Sequence, residues 1–99
     1  MVSLIIPSYR NPECLDLCLK SALEGQSVKN QIIVILDGFI EESKHIIEKY
    51  QDKISFLPLE QNQGMQMALN LGVYNADNET IVIINDDNVL CKDWDKVIE

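Results

Sequence analysis

Asp86 and Asp87 stand side by side directly after the apolar run Ile81 to Ile84 and Asn85. Adjacent carboxylates at the mouth of a buried strand repel each other. Either they face water in an acidic turn, or a cation offsets them. Mg²⁺ and Mn²⁺ suit such a pair, because they accept one or two protein carboxylates and complete their shell with phosphate and water oxygens. Asn85 and Asn88 flank the pair and favour turns, which fits both readings. Asp37 is a lone acid after a second apolar run, Ile32 to Leu36. It suits hydrogen bonding to ribose hydroxyls or to a base N–H, and equally a turn before Gly38. Tyr9 follows a third apolar run and could stack on a base or simply pack. Gly64 precedes a helical pattern, whose first backbone N–H groups lack intrahelical partners and can face an anion. Neither the Walker nor the dinucleotide glycine pattern occurs.

The elements that must position these residues follow from periodicity. Val2 to Pro7 is uncharged and reads as a strand buried on both faces. Asn11 offers a helix N-cap and Pro12 a first helical residue. Leu15, Cys18, Leu19, Ala22 and Leu23 recur at helical spacing, and Gly25 closes that helix. Ile32 to Leu36 is the second strand. A helix from about Glu41 to Tyr50 turns Ile46, Ile47 and Tyr50 inward. Ile54 to Leu59 is the third strand, placed at a sheet edge because Pro58 lacks a ladder donor. The third helix opens at Gly64, with Met67, Ala68, Leu71 and Tyr74 or Asn75 on its inner face. Thr80 to Ile84 is the fourth strand. A last helix begins near Asp93 and carries Trp94, Val97 and Ile98. Strands alternating with helices predict a parallel, Rossmann-like α/β sheet covered on both faces. Ligands of such sheets sit outside the carboxyl ends of the strands, where all of the residues above fall.

Composition narrows the classes. The chain has 99 residues, 46% hydrophobic and 24% charged, which is one ordinary globular domain. Its net charge of −8 disfavours a nucleic-acid binder, which needs a basic footprint. Seven carboxylates and two lysines lie between Asp77 and Glu99, so most of the excess acid sits in the last quarter. No apolar run approaches the roughly 18 residues of a membrane span. The start has no basic region before its apolar run, so the cytosol is the expected compartment. Cys14 and Cys18 share a helical face, but the single histidine, His45, lies in another segment. Zinc would want more ligands, so Cys14, Cys18 and Cys91 are expected to be small buried hydrophobes.

The strand ends together resemble the nucleotide-binding half of a family-2 glycosyltransferase with the GT-A fold. Val-Ser-Leu-Ile-Ile-Pro-Ser-Tyr-Arg-Asn is similar to that family's opening strand and loop, and Leu15 to Leu23 to its first helix. Ile32 to Gly38 resembles the strand that usually ends Asp-Asp-Gly-Ser, with Leu36 and Phe39 departing from it. Asn62 to Gly72 keeps an Asn-x-Gly and Ala-x-Asn-x-Gly spacing. Ile84 to Asn88 resembles the Asp-x-Asp region, with Asn85 at its first acid, and Trp94 falls where members often carry a Trp.

The resemblance implies a four-stranded, mostly parallel sheet in the order 3-2-1-4 and a nucleotide-sugar donor, most simply a UDP-sugar. It implies a donor pocket shaped by Pro7, Ser8, Tyr9, Arg10, Asp37, Asn62, Gly64 and Asp86. Tyr9 would lie against the base, and Asp37 would hydrogen-bond the nucleoside. Asp87 would hold Mn²⁺ or Mg²⁺ on the diphosphate, and Asp86 would contact the ribose or help position the metal. Transfer with inversion is implied, but no residue stands out as the general base. The alternative is a nucleotide-sugar-binding module without transfer, or one that needs a partner for the acceptor. Residues 1–99 would be a single donor domain without the usual acceptor half. Its uncharged fourth strand and the apolar side of its last helix would then lack neighbours, which predicts a homodimer.

Overall fold

The computed structural model describes residues 1–38, 40–59 and 64–98. In chain order the elements are β1 (Ser3–Ser8), α1 (Pro12–Gly25), β2 (Gln31–Asp37), a 3₁₀ turn (Glu41–Ser43) leading into α2 (Lys44–Tyr50), β3 (Ser55–Leu59), α3 (Met65–Asn75), β4 (Ile81–Ile83) and α4 (Trp94–Ile98). The strands form one sheet in the order β3-β2-β1-β4, and every pairing is parallel. The expected architecture and strand order are therefore observed, with β3 at an edge.

The pleat sorts the apolar residues onto two faces. Leu4 and Ile6 of β1, with Ile32, Val34 and Leu36 of β2, face the larger core, which Leu15, Cys18, Leu19 and Ala22 of α1 and Ile46 and Tyr50 of α2 complete. Ile5, Ile33 and Ile35 face the other way, against Ala68 of α3. Both central strands are thus buried on both sides, which is why they carry no alternating polar residues. Each such side chain contributes roughly 1.5–3 kcal/mol by leaving water.

The inner face of α3 differs in part from the expected one. Met67 is 46% exposed and Tyr74 86%, whereas Ala68 and Gly72, one turn apart, are buried. A Cβ on Gly72 would lie 2.5 Å from Ile5 Cγ2 and 2.9 Å from Ile35 Cδ1. Ala68 lies on the expected face, but close approach of helix to sheet selects Gly72 beside it, and Met67 and Tyr74 turn outward. Gly25 ends α1 for a related reason. Its absent Cβ would lie 2.8 Å from the Cys91 carbonyl oxygen, so the chain before α4 packs on its bare Cα.

That packing corrects two further expectations. Trp94 is only 5% exposed, and its Nε1 donates to the Ala22 carbonyl at 3.0 Å, so α4 rests on α1 within one chain. The expected apolar roles of Val97 and Ile98 lie outside the described side chains. β4 is shorter than expected and is not buried on both faces. Val82 packs on the larger core, while Ile81 and Ile83 are 37% and 48% exposed on the other side. Of the cysteines only Cys18 is buried; Cys14 is half-buried and Cys91 exposed.

Candidate functional site

At the carboxyl end of the sheet, β1 runs into a short loop before α1, and β4 runs into the acidic turn. Between them lies a cavity of about 230 Å³, lined by Pro7, Tyr9, Asn85, Asp86 and Asp87. Tyr9 is 43% exposed at this cavity. Arg10 follows at φ +55°, a left-handed conformation that side chains with a Cβ rarely adopt. The loop therefore turns sharply and presents Tyr9 and Arg10 outward.

The acidic turn is held from three directions. The Asn88 N–H donates to the Asn85 carbonyl at 3.3 Å and closes the turn. The Cys18 thiol approaches the same carbonyl oxygen from α1 at 3.9 Å. Ser8 Oγ donates to Asp86 Oδ2 at 2.8 Å, and Asn11 Nδ2 to Asp86 Oδ1 at 3.4 Å. Burial pushes the Cys18 thiol up to about 11, and the charges of Asp86 and Asp87 add to that rise. The thiol thus stays protonated at neutral pH and serves as packing and a weak donor.

Asp37 ends β2 and is buried. Gly64, in a conformation open to glycine alone (φ +91°), donates its N–H to Asp37 Oδ2 at 3.0 Å. The Asp37 carboxylate therefore fastens the entry to α3 onto the sheet, and the Gly64 N–H points at this carboxylate. Asp37 and Gly64 stand at the same end of the sheet as the acidic turn, with β1 between β2 and β4. Among the described residues, neither lines the cavity beside Tyr9. Asn62 lies outside the described residues.

The structure thus gathers Pro7, Tyr9, Asp86 and Asp87 around one cavity, sets the buried Ser8 behind it on Asp86, and places Asp37 and Gly64 beside it. Asn11 was not expected here. Its type and its place before Pro12 mark a helix cap, yet its side chain makes no cap hydrogen bond and turns to Asp86 instead. Only its nearness to a strand end could have signalled this.

The donor set is informative about cations. Among the described residues no group of three or more His, Cys, Asp or Glu converges on one point. A cage built from protein alone is ruled out for those residues. One exposed carboxylate, Asp87, beside a hydrogen-bonded one, Asp86, instead fits a hard cation that takes most of its oxygens from phosphate and water.

Residues 3–98 match the profile of glycosyl transferase family 2, and the chain belongs to that family. It is 37% identical over 90 residues to an uncharacterized glycosyltransferase of Rickettsia prowazekii, covering 90% of this chain and 28% of the relative. It is 32% identical over 89 residues to the cholesterol galactosyltransferase of Borreliella burgdorferi, covering 88% of this chain and 25% of the relative. The chain thus spans about a quarter of the length of these relatives. Among solved structures, S. aureus TarS in complex with UDP-GlcNAc superposes with a TM-score of 0.85 at 24% identity, covering 97% of this chain and 29% of that one. The mannosyltransferase PcManGT of Pyrobaculum calidifontis, in complex with GDP-Man and Mn²⁺, gives 0.84 at 16%, covering 98% of this chain and 30% of that one. These likenesses are of fold: the sheet and its helices have the GT-A arrangement of those structures. No described helix is long and apolar enough to cross a membrane.

Proposed function

We propose that residues 1–99 form a donor-binding domain for a metal-dependent glycosyl transfer, with a UDP-sugar as donor and inversion at the transferred carbon. The cavity lined by Tyr9 and the Asp86–Asp87 turn carries this reading, because it brings an aromatic ring and an exposed acid, to which no described side chain donates, into one cleft. Tyr9 lies against the base, and Asp37, with Asn62 and Gly64 at the entry to α3, borders the nucleoside. Pro7, Ser8 and Arg10 shape the wall that carries Tyr9, and Arg10 supplies positive charge toward the diphosphate. Asp87 is the carboxylate for Mn²⁺ or Mg²⁺, with Asp86 beside it. When bound, the cation supplies charge neutralisation on the leaving nucleoside diphosphate. The complexes of TarS with UDP and UDP-GlcNAc support a uridine donor, and that of PcManGT supports a divalent cation.

Calorimetry of UDP with and without Mn²⁺ tests the reading. Cation-dependent binding is the expected result, and no UDP binding in either condition would overturn it.

A nucleotide-sugar-binding module without transfer is the second reading. Inversion needs a base to take the acceptor hydroxyl's proton. Among the described residues, the only carboxylates lining the cavity are Asp86 and Asp87, both on its donor side. Sugar turnover from a UDP-sugar separates the two readings.

A two-fold dimer accompanies the proposal. Among the described residues β4 pairs only with β1, and Thr80 to Ile84 carries neither charge nor proline to protect its edge. The exposed Ile81 and Ile83 add apolar area beside it. Trp94, buried on α1, takes no part. Light scattering at micromolar concentration should report twice the chain mass, and a monomer there would remove the dimer. The cytosol is the compartment that goes with this reading, and the three thiols are unpaired.

A further inference from the structure

We infer that Ser8 and Asn11 are positioning residues that act on the donor site through Asp86, an inference that rests on the donor-binding reading above. Each oxygen of the Asp86 carboxylate accepts from one of them, Oδ2 from Ser8 Oγ at 2.8 Å and Oδ1 from Asn11 Nδ2 at 3.4 Å. The two donors bracket Tyr9 and Arg10, so the loop that carries Tyr9 at the cavity is laced to the acidic turn. The Ser8 bond has the ordinary length of an O–H···O hydrogen bond, and the Asn11 contact, longer than the usual N–H···O range, is the weaker of the two. Two bonds to different oxygens fix the plane of a carboxylate while leaving lone pairs on each.

Asp87 is the contrasting neighbour. It is exposed, and no described side chain donates to it. Its direction is therefore set by the backbone of the turn, which Asp86 ties to Ser8 of β1 and to Asn11 ahead of α1, beside the Cys18 thiol on the Asn85 carbonyl. Asn11 forgoes the helix cap its type favours, with φ −141° and ψ 55° and no side-chain bond to the first turn. A residue placed to stabilise α1 would cap it. This one reaches across to the acid instead.

The test separates capping from positioning. Serine caps a helix as well as asparagine does but is too short to reach Asp86. Asn11→Ser should keep the unfolding midpoint and weaken Mn²⁺-dependent UDP binding about tenfold, the usual scale for partners that orient a metal-binding carboxylate. Ser8→Ala should weaken it at least as much. In an Asp86→Ala background both changes should have no further effect. Unaltered affinity in Asn11→Ser and Ser8→Ala would overturn the inference, and so would an equal loss with and without Asp86.

Nuclear magnetic resonance on ligand-free protein supplies an independent readout. The Asn11 side-chain amide signals should move in Asp86→Ala. If wild-type protein binds UDP with Mn²⁺ and those signals stay fixed, the inference alone fails. If wild-type protein binds no UDP, the donor reading fails and takes the inference with it.

Discussion

Two carboxylate sites occupy opposite ends of the same sheet, and they use the same chemical group in opposite ways. At the amino end, Asp95 of α4 is completely buried and surrounded by donors. The Ser27 N–H lies 2.9 Å from each of its oxygens, the Val28 N–H 3.2 Å from Oδ2, and Asn30 Nδ2 2.8 Å from Oδ2. Asn30 in turn accepts from the Val2 N–H at 2.9 Å, which ties the network to the start of β1. At the carboxyl end, Asp87 is exposed and no described side chain donates to it. The first carboxylate has spent its charge on folding. The second keeps its charge in water, and in the proposed donor site that charge goes to a cation. A buried acid that is fully hydrogen-bonded is a structural part, and an acid left unsatisfied beside a cavity is a candidate for chemistry.

The sharpest way to break this comparison is to remove each acid and read both binding and stability. Asp87→Ala should abolish the Mn²⁺-dependent part of UDP binding while leaving the urea midpoint in place, because an exposed turn carboxylate contributes little packing. Unchanged calorimetric affinity for UDP with Mn²⁺ would dissolve the distinction from the carboxyl end.

Asp95→Ala should do the reverse. It removes the acceptor of the Ser27 and Val28 N–H groups in a part-buried site, and each orphaned donor costs roughly 1–3 kcal/mol, while the Asn30 amide keeps Gln26 Oε1 and the Val28 carbonyl. With partial relaxation, a loss of about 3 kcal/mol is expected, a large share of a domain's usual 5–15 kcal/mol. Affinity for UDP per folded molecule should hold. The same site predicts an acid limb. Burial would raise the Asp95 pKa, but the bonds from Asn30, Ser27 and Val28 outweigh it and hold the folded value well below the usual carboxylate range. A depressed folded pKa contributes stability above the unfolded value of about 3.9, and that contribution is lost as pH falls below it. In Asp95→Asn this part of the acid slope should vanish, whereas in Asp87→Ala it should persist. An acid slope unaltered by Asp95→Asn would mean that other groups set it.

Much of this contrast was legible in the sequence at one end and hidden at the other. The runs Ile32 to Leu36 and Ile81 to Ile84 announce strands, and their polar ends announce a site, because parallel α/β sheets leave only those ends open to ligands. The order of the strands followed from the family resemblance. Asp95 gave no such signal. It falls inside a charged stretch, Lys92 to Lys96, that reads as a solvated surface, and its burial depends on donors about 65 residues away along the chain. The inner line of α3 was partly hidden, for a different reason. Ala68 was legible from the period, but Gly72 is chosen by the distance between helix and sheet, which a hydrophobic period does not register. Asn11 was legible only as a cap, since nothing local shows that β4 delivers Asp86 to it.

A third test sharpens what the carboxyl end recognises. If Tyr9 and the Asp37 end of β2 frame a uracil, UDP should outbind ADP and GDP by about 1–3 kcal/mol, the cost of a buried polar group left without its partner. The diphosphate and cation are common to all three ligands, so the difference isolates the base. Equal affinities would mean that the site does not tell the bases apart, and Tyr9→Ala would then weaken all three alike through lost stacking.

The smallest effect belongs to a carboxylate that stands between the two extremes. Asp16 of α1 is partly exposed and accepts from the Tyr50 hydroxyl at 2.6 Å and from Lys49 Nζ at 3.0 Å. The Tyr50 bond is the main cause of its lowered pKa, against which its modest burial works, and Lys49 adds a smaller share. Tyr50 is 6% exposed, so its ring remains packed in the larger core if the hydroxyl is deleted. Tyr50→Phe should therefore cost only about 0.5–1.5 kcal/mol, the net worth of one hydrogen bond. The Asp16 carboxylate it leaves behind can still turn to water and to Lys49, unlike the donors around Asp95. Urea unfolding of Tyr50→Phe beside Asp95→Ala measures this difference directly. A loss in Tyr50→Phe as large as that in Asp95→Ala would show that partial exposure does not soften the removal of a carboxylate's partner, and burial would no longer rank these sites.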